Sequence, residues 1–385
     1  ITTSFPAHER AKAVGTWAGV AGAGGIIGLF ISAAIIDNST WPWVFAFPVT
    51  VAAVAFAGTV VVVPHSREHV EAGFDIAGSL LSVLAVGGLV LAMHEGPEQG
   101  WTHPITVVGF VAGIAGTIAF VLVELRRDHP LLDVRLFANP GLSTGSVNLF
   151  VVFAIMFAMF LTLVQFLQAV LGYTALRAAT GLLPMAAAMM PLSTMAPTIA
   201  HRIGYRRTVA TGMILTAVAL VWFALVADPD SGYLPILPAL LILGVGVGLA
   251  MSPSTTAITS SLPEDKQGVA SALNDTVREM GGAIGIALIG SILNAQYRAN
   301  ITPVTDTLPP ELAEPVKEGI GGALAAAGQA GADSATIIDA ARQAFADGLG
   351  PAMLVAAALC VAAAIITIAT GISTRRATTP PATAT

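Results

Sequence analysis

The residues with the most chemistry to offer form one short string, Asn274-Asp275-Thr276-Val277-Arg278-Glu279, followed at once by Gly281, Gly282 and Gly285. Taken as one helix over residues 268–293, the string puts Asp275 and Glu279 on one face at i, i+4, with Arg278 beside them. Ionisable groups at membrane depth cost about 2.5–3.5 kcal/mol or more each and generally face a cavity or a partner. Two chemistries fit. A carboxylate here could take up and release a proton in a water-accessible pathway, or the three charges could form a partly buried ion-paired cluster near a helix end.

A second set of side chains suits binding. Asn148, Gln165 and Gln168 are polar groups in and beside the apolar run 146–167. They fit either hydrogen bonds to a substrate or bonds that hold helices together. Phe153, Met156 and Phe157, with Met159 and Phe160, give the same run a soft, polarizable surface, and Met189 is of the same kind. Such a surface accepts varied hydrophobic ligands, and lipid-facing packing explains it equally well. No enzyme constellation appears. The seven histidines are scattered, no HExxH pair, phosphate-cradling loop or nucleophile elbow is present, and Cys360 stands alone. The expectation is therefore no enzyme, no metal, no cofactor and no nucleic acid.

The elements that must position these groups are long apolar runs separated by short basic loops. Charged residues make up 10% of the chain, against about 25% in a soluble domain, and mean hydropathy is +0.80. A helix needs about 20 apolar residues to cross a bilayer. By that measure about ten runs qualify, including 14–36, 41–63, 79–93, 105–123 and 351–372. The runs are continuous rather than alternating, which favours helices over a barrel. The fold class is all-α, a polytopic membrane protein in contact with the lipid bilayer.

Small residues mark candidate helix contacts. Gly24, Gly28 and Ser32 lie four apart in a run that also holds Gly19 and Gly22, and Gly281, Gly282 and Gly285 cluster later. Such stripes let two helix backbones approach closely, as a tight pair or as a pivot that seals a pathway. Arg10, Arg67, Arg126, Arg127, Arg202, Arg206, Arg207, Arg375 and Arg376 fall in alternate loops and in the tail. Positive charge resists translocation, so both chain ends are expected in the cytoplasm. The segment 294–347, with Pro303, Pro309, Pro310 and Pro315, reads as a mobile external hairpin with a few short helices. The chain begins with Ile1 and shows no signal-peptide pattern, which reads as an internal start.

The order of motifs resembles the fourteen-helix drug:proton antiporters of the major facilitator superfamily, the QacA/EmrB type. The resemblance rests on Phe5-Pro6 to Trp17 with the glycine run after it, and on Trp41-Pro42-Trp43. It continues through Asp75-Ile76-Ala77-Gly78, Gly181-Leu182-Leu183-Pro184, Arg202-Ile203-Gly204-Tyr205-Arg206-Arg207 and Ala270 to Gly282. Leu29 stands where that family has a proline, and Pro42 where it usually has an arginine.

The resemblance implies a major facilitator fold beginning near the family's fifth helix, with the first four absent. Residues 1–63 would be what remains of an N-terminal bundle, and 64–140 two linking transmembrane helices with a loop. Residues 141–371 would form a C-terminal six-helix bundle with the external loop 294–347, and 372–385 a cytoplasmic tail. It also implies a multi-pass cell-membrane exporter of hydrophobic or cationic small molecules, exchanging them for protons and working as a monomer. In that setting Asp275, Arg278 and Glu279 are coupling candidates, Glu279 foremost with Arg278 tuning it. Asn148, Phe153, Met156, Phe157, Gln165, Gln168 and Met189 are candidates for the substrate cavity. A non-transporting remnant or structural membrane protein, and a metabolite exporter or uniporter of the same fold, are the alternatives.

Overall fold

The computed structural model describes residues 24, 27–62, 75–127, 130, 132–262 and 266–370. The positions Gly19 and Gly22 and the tail 372–385 lie outside them. The described elements are helical, with no strand among them. They are α1 (Ile27–Asn38), α2 (Pro42–Val62), α3 (Ile76–Gln99), α4 (Pro104–Glu124), α5 (Pro140–Gln165) and α6 (Ala175–Ile203). The series continues with α7 (Tyr205–Val226), α8 (Leu237–Ser260), α9 (Gln267–Thr305), α10 (Pro310–Glu318), α11 (Ile320–Ala327) and α12 (Ser334–Ala369).

Among the described residues nine helices, α2 to α9 and α12, are long and apolar enough to cross a membrane. Lipid offers backbone groups no hydrogen-bond partners, so each apolar run must satisfy its own amides as a helix. The shorter α1 covers the end of the run expected from residue 14, whose beginning lies outside the described residues.

The helices divide into two compact units. One holds α1, α2 and the start of α6 through Leu182. Its core is Ala33 against Ala175 and Ala179, with Leu29 and Phe30 packed on them. The Asp37 carboxylate caps α6, accepting from the Ala175 and Leu176 N–H groups at 3.0 and 2.9 Å. The Leu176 N–H holds Asp37 below the ordinary carboxylate range, so this cap weakens only as the pH falls through that lowered value. Among the described residues, an added methyl at Gly24 or Gly28 of α1 would meet nothing within 4 Å.

The second unit holds α3 to α5, α6 from Leu183, and α7 to α12, so residues 72–140 pack with the helices that follow them. The backbones of α3 and α4 are in close contact in it, where Ala85, Gly88 and Ala92 meet Gly116, Gly113 and Gly109. An added Cβ at Gly113 would lie 2.7 Å from the Leu89 nitrogen, and one at Gly116 2.8 Å from that of Ala85. At the base of this pair Asp75 caps α3 through the Gly78 N–H (2.8 Å) and meets Arg127 at 3.5 Å. Glu124 ends α4 fully buried; its Oε2 accepts from the Leu132 N–H (3.2 Å), and its Oε1 has no hydrogen-bond partner among the described residues. Gly78 lets the two carboxyl groups approach, since a Cβ there would collide with Glu124 Oε1 and lie 2.9 Å from Asp75 Oδ2.

The string Gly244-Val245-Gly246-Val247-Gly248 lets α8 touch helices on two sides. Gly244 and Gly248, four apart, face the Met185 and Met189 carbonyls of α6, and Gly246 faces Gly212 of α7. Beyond the membrane, α9 and α12 continue well past the length a bilayer needs, with 39 and 36 residues. There the expected mobile hairpin is instead a packed helical cap. Tyr297 donates to the Val316 carbonyl (2.9 Å), and Ile301, Val316, Ala323 and Ile337 are fully buried. Proline and alanine content concealed this, because the burying surface comes from the extended ends of α9 and α12.

Candidate functional site

The site is built where α5 crosses α9. Gly281 and Gly285 bring α9 onto the backbone of α5 at Phe150 and Ala154, and Gly282 lies under the Phe157 ring. That crossing carries the charged string of α9 past the aromatic face of α5. The Arg278 guanidinium sits 4.5 Å over the buried Phe153 ring and 3.4 Å from an Asp275 carboxylate oxygen. Phe153 in turn packs on Phe157, with ring centroids 6.1 Å apart. The face of the ring and the carboxylate both attract the Arg278 guanidinium electrostatically. Glu279, one residue on, is exposed and makes no hydrogen bond or ion pair among the described residues. Asn274 is buried, and its Oδ1 has no hydrogen-bond partner among the described residues.

Beside this charged end lies an apolar gap. Met156 and Met159 of α5, Met185 and Met189 of α6, and Leu243 and Val247 of α8 line it. The close α6–α8 contact at Gly244 and Gly248 directs the methionines toward α5. Phe153, Met156 and Phe157 share one face of α5 at i, i+3 and i+4, so the aromatic and methionine surfaces are continuous. The gap is closed to about 10 Å³, and four thioethers give it a flexible, polarizable lining.

Other candidates lie elsewhere. Asn148 is fully buried among α5, α7 and α12, exchanging hydrogen bonds with Thr367 (2.8 and 2.9 Å) and donating to the Tyr205 hydroxyl (3.3 Å). It ties three helices together rather than lining the gap. Asn148→Ala removes the common partner of two buried hydroxyls, and about 1–2 kcal/mol of stability is expected to go with it. A fall in the thermal unfolding midpoint in detergent checks this; an unchanged midpoint would contradict it.

Gln165 and Gln168 are half-buried at the end of α5, separated by the start of a π-helical turn, Phe166–Val170. The Leu171 N–H reaches back to the Phe166 carbonyl (3.0 Å), which widens the turn in which Gln168 sits. Arg342 of the cap donates to the Ala169 carbonyl in that turn (3.4 Å). Neither the π turn nor the buried Glu124 was anticipated. The only signal for Glu124 was an acid ending an apolar run. Among the described residues no three His, Cys, Asp or Glu side chains gather as a metal site would need.

Residues 1–286 match the Major Facilitator Superfamily, and the chain belongs to that family of membrane transporters. It is 30% identical over 312 residues to the multidrug resistance protein Stp of Mycobacterium tuberculosis, covering 81% of this chain and 58% of Stp. It is 31% identical over 373 residues to the multidrug efflux pump LfrA of Mycolicibacterium smegmatis, covering 96% of this chain and 72% of LfrA. It is 28% identical over 386 residues to the tetracenomycin C resistance and export protein of Streptomyces glaucescens, covering 96% and 70%. The chain thus spans little more than half the length of Stp. It is a multi-pass membrane protein of a transporter family, not an enzyme.

Proposed function

We propose that this chain serves a drug-export transporter of the fourteen-helix drug:proton antiporter type, supplying the helices that correspond to that type's fifth to fourteenth. In this reading α5 to α9 and α12 form the C-terminal bundle, α3 and α4 are the linking helices, and α1 and α2 belong to the N-terminal bundle. The substrates are hydrophobic or cationic small molecules, carried out across the cell membrane with both chain ends in the cytoplasm. A monomer suffices.

One observation carries the reading: an adaptable aromatic and methionine surface is continuous with a charged helix end that holds Glu279, a carboxylate without a partner among the described residues. Protonation of such a group shifts the balance between two conformations by its differential free energy in each. The three relatives, named for multidrug resistance, efflux and export, support the same substrate class.

The test is dye efflux from cells expressing the transporter that contains this chain, with and without a protonophore. Expected is efflux of several unrelated hydrophobic dyes that stops when the proton gradient collapses. Efflux indifferent to the protonophore would point to uniport by the same fold, and no efflux of any dye would reject the proposal.

A further inference from the structure

A cavity of about 790 Å³ opens where α7 begins and α12 ends, away from the α5–α9 site. Gly204, at φ 96°, turns the chain between α6 and α7, so that Arg206 and Arg207 emerge in the first turn of α7. Both line the cavity, together with Thr211, Ile214, Leu215 and Ile368, and no acidic residue does. Arg206 Nε donates to the Thr367 carbonyl (3.3 Å), which fixes the guanidinium while using one of its five donors. Arg207 is exposed and has no hydrogen bond or ion pair among the described residues.

The cavity continues into an apolar track. Arg207, Thr211, Ile214, Val218, Trp222 and Leu225 are all exposed and recur every three or four residues, so they form one outward stripe of α7. At about 1.5 Å per residue, Ile214 and Val218 lie about 10 and 16 Å from the arginine, the depth of one leaflet's acyl chains. Trp222 lies about 22 Å away, with its indole donating to the Pro235 carbonyl. Cations at one end of a lipid-facing stripe and an indole toward the other match the two interfaces of a bilayer. The chain's own continuation after residue 370 carries Arg375 and Arg376 and no acid, so its charge does not complement this rim.

We infer that this cavity binds an anionic phospholipid, with the headgroup phosphate between Arg206 and Arg207 and an acyl chain along Ile214, Leu215 and Ile368. Two guanidiniums offer the geometry a phosphate needs, and the apolar wall gives the chain a seat that free phosphate would leave empty. The site does not depend on what the protein transports.

Native mass spectrometry of the purified chain in detergent tests it, titrating phosphatidylglycerol against phosphatidylcholine of the same acyl length. Expected is one phosphatidylglycerol retained in preference to phosphatidylcholine. Its affinity should fall about fivefold in Arg207→Gln and about thirtyfold in R206Q/R207Q. Arg207 is exposed and unbonded, so the single variant keeps the fold, which its circular dichroism confirms. Arg202→Gln, outside the cavity, should leave binding unchanged. Equal retention of phosphatidylcholine, an Arg207→Gln variant that binds as before, or an equal loss in Arg202→Gln would each overturn the site. So would complete displacement by millimolar inorganic phosphate, which identifies a simple anion site, or tighter binding after deletion of residues 372–385, which identifies the tail as occupant.

Discussion

Gly285→Leu is expected to leave no folded protein to purify from the membrane. At Gly285 the backbones of α5 and α9 are in contact, and a Cβ would overlap the Ala154 Cα, carbonyl carbon and oxygen, lying 2.6 Å from the carbon. These are backbone atoms inside a helix, so no rotamer change can make room. Overpacking that side chains can absorb costs about 1–3 kcal/mol, and a main-chain collision lies at or beyond the top of that range. Gly281, one turn earlier, is pressed on Phe150 in the same way, so the helices cannot slide to relieve the clash. Gly290 lies on the same helix with nothing within 4 Å of an added Cβ, and Gly290→Leu is the control. On size-exclusion chromatography of detergent extracts, the Gly290 variant should elute as a single sharp peak and the Gly285 variant in the void. Equal behaviour would show that the close α5–α9 crossing is wrong.

Glu279→Gln should reduce gradient-driven export to the background of empty vesicles while leaving membrane insertion intact. Glutamine keeps the volume and removes only the ability to gain and lose a proton. The neighbouring charges are already engaged: Arg278 is 3.4 Å from Asp275 and 4.5 Å over Phe153, while Glu279 has neither kind of contact. Asp275→Asn should therefore act differently. It releases Arg278 from its ion pair without touching the proposed proton acceptor, and transport should weaken rather than vanish. Everted vesicles energised by respiration, with the dye supplied outside and its accumulation in the lumen followed, read both variants. Unchanged transport in Glu279→Gln would remove this residue from the coupling role.

The membrane spans were legible because hydropathy reports the solvent around a helix. Even α9, with Asp275, Arg278 and Glu279 in it, forms as one helix over the string. Hydropathy does not report which helices are neighbours. Gly109 and Gly113 have the spacing of a contact stripe, yet nothing in that spacing says that the helix they meet is α3 at Gly88, Leu89 and Ala92. Glycine permits close approach; it does not name the partner.

The candidate site shows the same limit. Its charged string and its aromatic face were both visible as separate features. Their meeting through Arg278 and Phe153 depends on a crossing between residues more than a hundred positions apart. Asn148 was visible as a polar group in an apolar run, but its bonds to Tyr205 and Thr367 come from two other helices. The π turn at Phe166–Val170 has no local sequence signature, and Arg342, which donates to its Ala169 carbonyl, is 173 positions away.

The proposal that this protein exchanges a drug-like molecule for a proton is tested most directly in liposomes that hold a trapped pH indicator and the purified transporter containing this chain. With no gradient imposed, adding a transported dye to one side should move protons the opposite way, in fixed proportion to the dye, and the Glu279→Gln protein should move none. Dye uptake that leaves the indicator unchanged would contradict the account.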